Sequence, residues 1–144
     1  MKILFLDIDG VLWTGMDLKS GGHNAFSAEP VNQLNRILGV VEDLYIIISS
    51  TWRVLHSLSW LRDHFESQGF LYADKIIGIT PDLRYEKVRG EEIAAWLSEH
   101  PGVTQYVILD DDRDMAHLIS NLLQTEFHTG LTAEIADEII KRLK

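Results

Sequence analysis

Asp7 and Asp9 stand at the end of an apolar run, Ile3-Leu4-Phe5-Leu6-Asp7-Ile8-Asp9-Gly10, close to the start of the chain. A short buried strand that ends in Asp-x-Asp-Gly puts two carboxylates where like charges repel and hydration is lost. A bound divalent cation is the usual way to offset that cost. A second acidic cluster, Asp110-Asp111-Asp112, follows Tyr106-Val-Ile-Leu109, and Ser49-Ser50-Thr51 follows Leu44-Tyr-Ile-Ile-Ile48. Carboxylates from two strand ends could hold Mg²⁺, a hard ion that prefers oxygen and keeps several waters. A carboxylate can also attack phosphorus. Another, two residues on, can protonate the leaving oxygen and then activate water. Charge spread over the remaining phosphoryl oxygens would need a hydroxyl, from Ser49 or Ser50, and a cation, from Arg89 or Lys87.

Such residues meet only if the fold brings distant segments together. Residues 3–8 read as a strand buried on both faces of a parallel sheet. Residues 10–28, rich in Gly, Ser and Asn, read as an irregular or hairpin segment. Ser27 and Pro30 then open a helix whose Val31, Leu34 and Leu38 share a face. A second strand is expected at 44–48. One helix should carry Val54, Leu58, Leu61 and Phe65 in phase and stop at Gly69. A third strand is expected at 75–79, a helix from about Gly90 to Pro101-Gly102, and a fourth strand at 106–109. A helix near 114–121, a short strand at 124–127 and a final helix through Ile135, Ile139, Ile140 and Leu143, capped by Thr132, complete the pattern. Strands alternating with helices predict an α/β fold with a mainly parallel sheet and helices on both faces. Ligands bind such sheets at the carboxyl ends of the strands, where Asp7/Asp9, Ser49/Ser50 and Asp110/Asp111 would all lie.

The chain has 144 residues, the size of one domain with a real core, expected to span 1–144. A formal net charge of −9 argues against a broad, charge-driven hold on nucleic acid, though not against a local basic groove. No cysteine is present, which excludes disulfides, thiolate metal sites and cysteine nucleophiles. That suits a reducing, cytoplasmic setting. Asp7 and Asp9 interrupt the apolar start, so it does not read as a signal peptide, and no stretch reaches the length of a membrane span.

Each polar group also has a plainer reading. Asp7 and Asp9 could be turn or cap residues, Asp110 to Asp112 a helix N-terminus favoured by the dipole, and Ser49 to Thr51 helix caps. Trp52 and Arg53 could form a substrate wall, with Arg53 reaching a second phosphate or a buried carboxylate; a structural Arg–Asp pair is at least as good a reading. Trp60 and Trp96 read as packing residues. The six histidines show no pair at metal-ligand spacing.

Taken in order, the motifs resemble those of the haloacid-dehalogenase (HAD) superfamily of aspartate-based phosphohydrolases. Asp7-Ile-Asp-Gly-Val-Leu12 looks like its first motif, Ile46-Ile-Ile-Ser-Ser50 its serine/threonine motif, Arg89 its usual cation, and Val107-Ile-Leu-Asp-Asp111 its acidic fourth motif. The resemblance implies a three-layer Rossmann-like fold, Asp7 as nucleophile and Asp9 as acid/base. It implies Ser49, or Ser50 close behind, and Arg89 as phosphate contacts. It also implies Mg²⁺ held by Asp7, Asp110, Asp111 and the Asp9 backbone carbonyl. The intervals where the superfamily inserts caps are each about one hairpin-plus-helix long, so no large cap domain is expected and the site should be open.

A narrower resemblance is carried by Ser50-Thr-Trp-Arg53, Gly78-Ile-Thr-Pro81, Arg89-Gly-Glu-Glu-Ile-Ala-Ala-Trp-Leu97, Tyr106-Val-Ile-Leu-Asp-Asp-Asp112 and Gly130-Leu-Thr132. These look like the HAD domain of Swiss Army knife RNA-repair proteins. They imply a phosphomonoester hydrolase acting on a phosphorylated substrate such as a nucleic-acid end or a nucleotide, with no membrane partner. The alternatives are a small-metabolite or protein phosphatase of the same fold, and, in another class, a receiver-type phosphoacceptor or a catalytically silent binding module. Asp9 separates the first from the second: a receiver holds its phosphoryl group, whereas a second acid discharges it.

Overall fold

Five parallel strands form one sheet in the order β3-β2-β1-β4-β5: β1 Lys2–Leu6, β2 Leu44–Ile48, β3 Ile76–Ile79, β4 Gln105–Asp110 and β5 Leu122–Gln124. The structure is a computed structural model and describes residues 1–14, 25–83 and 87–144. β1 lies at the centre, paired with β2 and β4 in matching register, Leu6 opposite both Ile48 and Leu109. A strand with neighbours on both edges and helices on both faces has no solvated side, which explains its unbroken apolar sequence.

The side chains of β1 alternate between two cores. Leu4 and Leu6 join Ile46, Ile48, Val107 and Leu109 on one face. That face is covered by α1 (Ala28–Val40), α3 (Leu58–Ser67) and α5 (Ala133–Leu143) through Leu34, Leu61, Phe65 and Ile139. Ile3 and Phe5 join Ile47 and Ile108 on the other face, under Ile93 and Trp96 of α4 (Arg89–Ser98). The result is the expected three-layer α/β architecture, and among the described residues no separate cap is inserted.

Several local expectations shift. The helix expected through Val54 and Phe65 is broken into α2 (Trp52–Leu55) and α3. His56 between them is extended, and the Ser57 hydroxyl accepts from Trp60 N at 3.1 Å, starting a new helix in place of continuing the old one. Leu55 is left 79% exposed, so this turn buries too little to hold a continuous helix. The segment expected as a helix near 114–121 is a 3₁₀ turn, Ala116–Asn121, in which Leu118 alone is buried. The fifth strand lies at 122–124 and not 124–127, and β3 is preceded by a 3₁₀ turn at Ala73–Lys75. Ser27 precedes α1 as expected, but its hydroxyl bonds Thr14 Oγ1 and not the helix. Thr132 caps α5 through Ile135 N. Part of the irregular segment expected at 10–28, residues 15–24, lies outside the described residues.

One close approach positions the start of α4. Gly90 N donates to Asp114 O at 3.0 Å, and a Cβ on Gly90 would overlap the Met115 backbone carbonyl. Gly90→Ala is therefore expected to cost about 1–3 kcal/mol of stability. Gly102→Ala, where a Cβ meets nothing within 4 Å, should stay within about 0.5 kcal/mol of wild type. Urea unfolding midpoints of the two variants check the contrast.

Candidate active site

The register of β1 with β2 and β4 continues one residue past Leu6: Asp7 N donates to Leu109 O, and Ser49 N donates to Leu6 O, each at 3.0 Å. Asp7 thus sits between the residue ending β4, Asp110, and the residue following β2, Ser49. Gly10 then turns the chain at φ +79°, a conformation costly for any side chain. A Cβ there would overlap the carboxylate of Asp111, so the glycine also lets that side chain in. Thr125 Oγ1 donates to Gly10 O at 2.7 Å and ties the turn to the end of β5.

The outcome is a cavity of about 170 Å³ lined by Asp7, Asp9, Thr51, Arg89, Asp110, Asp111, Asp112 and Asp114. One carboxylate oxygen from each of Asp7, Asp110 and Asp111 falls within 4.8 Å of the others. A larger cavity of about 490 Å³, beside Ile79 and Trp96, shares no lining residue with it. The donor set is hard oxygen from three carboxylates, which suits Mg²⁺ and leaves room for water ligands. The Asp9 carboxylate stands outside this trio. Its Oδ1 accepts from the Trp52 indole Nε1 at 3.1 Å.

Arg89 is the cation of the site. Its Nη1 lies 3.3 Å from Asp110 Oδ2 and 3.5 Å from Asp7 Oδ1. Lys87 does not line the cavity; it is half exposed and faces Glu91 at 4.0 Å. Of the two serines, Ser49 is fully buried, its Oγ makes no hydrogen bond to the described residues, and it does not line the cavity. Ser50 is also fully buried, and its Oγ accepts from Trp52 N at 3.2 Å, so its hydroxyl serves the start of α2. The hydroxyl that lines the cavity is Thr51, one residue further on, which makes no cap bond. The spacing reads Thr51 as a cap; only the actual path of the chain after β2 turns it to the site.

Trp52 and Arg53 are buried, and neither lines the acidic cavity. Arg53 does pair with a buried carboxylate, but with Glu92 at 2.8 Å in place of an aspartate. Glu92 is a residue of the site's framework that the spacing alone did not mark. Its signal is a charged residue in phase with Ile93 and Trp96 on the buried side of α4.

The electrostatics follow from burial. Desolvation raises Asp7 to about 6, with Arg89 and a hydrogen bond from Asp110 pulling the other way. Desolvation, then the Asp7 charge, raises Asp110 to about 9. Without a bound cation the pair therefore shares a proton near neutral pH. Asp9 is raised by burial as well, eased by the Trp52 hydrogen bond. Burial opposes the charge on Arg89, but Asp7, Asp110, Asp114 and Glu92 together outweigh it and hold the guanidinium above its ordinary value.

The family described as the HAD domain in Swiss Army Knife RNA repair proteins matches residues 3–136. The chain belongs to that family. The match runs from β1 into α5 and takes in every residue of the acidic cavity, and it sets the chain within the HAD-type phosphatase superfamily. Neither the curated proteins nor the solved structures compared with the chain gave a match. No helix among the described residues is long and apolar enough to cross a membrane.

Both raised carboxylates bind protons more tightly folded than unfolded. The folded state is therefore most favoured below the unfolded value of 3.8 and loses stability as pH rises through about 6 for Asp7 and about 9 for Asp110. Melting temperature in chelator should fall from pH 4 to pH 9. Asp110→Asn should remove most of that fall, and added Mg²⁺ should reverse it for the wild type only. A flat profile for the wild type in chelator would mean the carboxylates are not desolvated.

Proposed function

We propose that the chain is a Mg²⁺-dependent phosphomonoester hydrolase acting through a phosphorylated Asp7, working as one domain over residues 1–144. The observation that supports this best is the gathering of Asp7, Asp110, Asp111 and Arg89 at adjacent strand ends, with the Asp9 carboxylate set apart on an indole N–H. Mg²⁺ held by Asp7, Asp110, Asp111 and the Asp9 carbonyl would supply positive charge against the phosphoryl oxygens.

The residues divide the work as follows. An Asp7 carboxylate oxygen attacks phosphorus, and the bond from phosphorus to the ester oxygen breaks. Asp9, protonated at the start, gives its proton to the leaving oxygen. The raised value of Asp9 favours that protonated form. Asp9 then takes a proton from water as the water oxygen attacks phosphorus. The bond from phosphorus to Asp7 breaks, releasing inorganic phosphate and restoring both carboxyls. Arg89 and the Ser49 hydroxyl donate to the other phosphoryl oxygens through the sequence, with Thr51 at the rim.

For substrate we propose a phosphate at a nucleic-acid end or on a nucleotide. The matched family takes its description from RNA repair proteins, and a site without a cap can admit an end of a long polymer. The chain's charge of −9 means that recognition would be local and not a broad electrostatic hold.

The test is a panel with Mg²⁺: p-nitrophenyl phosphate, mononucleotides, and RNA and DNA bearing 3′- or 5′-phosphate. Phosphate release from the nucleic-acid ends at the highest kcat/KM is the expected result; preference for a metabolite or phosphoprotein would replace this substrate. Asp7→Asn should lower turnover by roughly 10³-fold or more, because an amide does not attack phosphorus. Asp9→Asn should slow turnover by roughly 10²- to 10⁴-fold and let labelled phospho-enzyme accumulate. Chelator should stop the reaction, and rates unchanged by it would remove the metal from the mechanism.

A further inference from the structure

Arg53 is buried, and its five N–H groups all point at protein. Nε donates to Thr80 O at 3.0 Å, Nη1 to Ser49 O at 3.2 Å and Ser50 O at 2.8 Å, and Nη2 to Pro81 O at 3.1 Å and Glu92 Oε2 at 2.8 Å. No donor is left for a substrate, so Arg53 is a cross-link between the chain after β2, the chain after β3 and α4. Glu92 is equally buried. Its Oε2 also accepts from Leu83 N at 2.7 Å. Its Oε1 is turned the other way and lies 3.8 Å from Arg89 Nε, three residues back on α4. Arg89 in turn faces Asp7 and Asp110 with Nη1.

We infer that Glu92 is a positioning residue that holds Arg89 against the acidic site, and that Arg53 fixes Glu92 for that purpose. The inference rests on the reading of Arg89 as the phosphoryl contact. A buried ion pair of this kind is weak support for stability, since burial of both charges offsets most of their attraction. What it does supply is geometry. Oε2 is pinned by two donors, so Oε1 presents its charge behind Arg89 at a fixed place, while the acids lie in front. The guanidinium is thereby aimed before any ligand arrives, and an error of about 1 Å in such a group can cost on the order of 10²-fold in rate. The same cross-link holds the carbonyls of Ser49 and Ser50, so the hydroxyl-bearing loop and the cation share one anchor.

Glu92→Gln keeps an acceptor for Arg53 and Leu83 but removes the charge behind Arg89. With p-nitrophenyl phosphate and Mg²⁺, kcat should fall on the order of 10- to 100-fold. Introduced together with Arg89→Met, it should add less than about twofold, because its effect passes through Arg89. A full multiplicative loss in the double variant would overturn the inference. A readout independent of turnover is NMR relaxation of the Arg89 Nε–H. In the double variant Asp7→Asn, Asp110→Asn, where both acids in front are neutralised, this group should remain ordered, with an order parameter near about 0.85. A value below about 0.6 would show that Glu92 does not hold it. If the wild type is inert to every phosphoester, the phosphatase reading fails, and the Arg89 measurement still decides the role of Glu92. That measurement also decides it if Glu92→Gln does not fold.

Discussion

Two carboxylates close the ends of neighbouring parallel strands, and in-register pairing leaves them no way to separate. Asp7 follows β1 and Asp110 ends β4, one residue beyond the matched pair Leu6 and Leu109. Each is buried, so water does little to screen their repulsion. Everything around the site answers that constraint. Arg89 faces both, Asp112 N donates to Asp110 Oδ1 at 3.0 Å, and in the absence of a cation a proton is retained. A divalent cation held between them would neutralise what Arg89 leaves uncompensated.

The remainder of the framework exists to bring side chains to that edge without strain elsewhere. Gly10 supplies a positive φ and the room that Asp111 needs. Gly90 lets the first turn of α4 press on the backbone at Met115, which delivers Arg89 to the sheet edge from the opposite layer. Arg53, with no donor spare, joins the segments after β2 and β3 to that same helix. The bonds from Arg53 to Thr80 and Glu92 span 27 and 39 residues of sequence. Their precision depends on packing in both cores, where β1 contributes Leu4 and Leu6 to one side and Ile3 and Phe5 to the other.

The strands and the acidic cluster were legible because buried parallel strands are written as unbroken apolar runs, and a polar residue at their end is conspicuous. Ile46-Ile-Ile-Ser and Val107-Ile-Leu-Asp each announce both a strand and its functional end. The break at His56-Ser57 was not legible, since Val54, Leu58 and Phe65 keep helical phase across it; a single hydroxyl accepting from Trp60 N decided the matter. The segment at 116–121 misled for a related reason: its apolar residues suggest a helix, but only Leu118 finds a core to enter. At the site, residue type and spacing pointed to Asp7, Asp110, Asp111 and Arg89. They could not show that Thr51, and not Ser50, would line the cavity, because that depends on how tightly the chain turns after β2. Nor could they pair Arg53 with Glu92, 39 residues away.

Asp7 and Asp9 are chemically identical and two residues apart, yet their surroundings differ. Alternation along an extended chain sends both toward the same side, so sequence position alone would give them one environment. The turn at Gly10 and the indole of Trp52 break that equivalence. Asp7 is drawn into the group with Asp110 and Asp111, where burial raises it to about 6 and Arg89 pulls it back toward the ionised form. Asp9 is left outside that group, half buried, with one oxygen fixed by an N–H and its value raised by burial. The proposed two-step phosphoryl transfer needs a nucleophilic carboxylate beside a second carboxyl that carries a proton, and a divalent cation at Asp7, Asp110 and Asp111 would set the two apart. A phosphoacceptor built to keep its phosphoryl group has no use for the second acid. The indole that holds Asp9 in place is therefore as informative about turnover as the aspartate that would be phosphorylated.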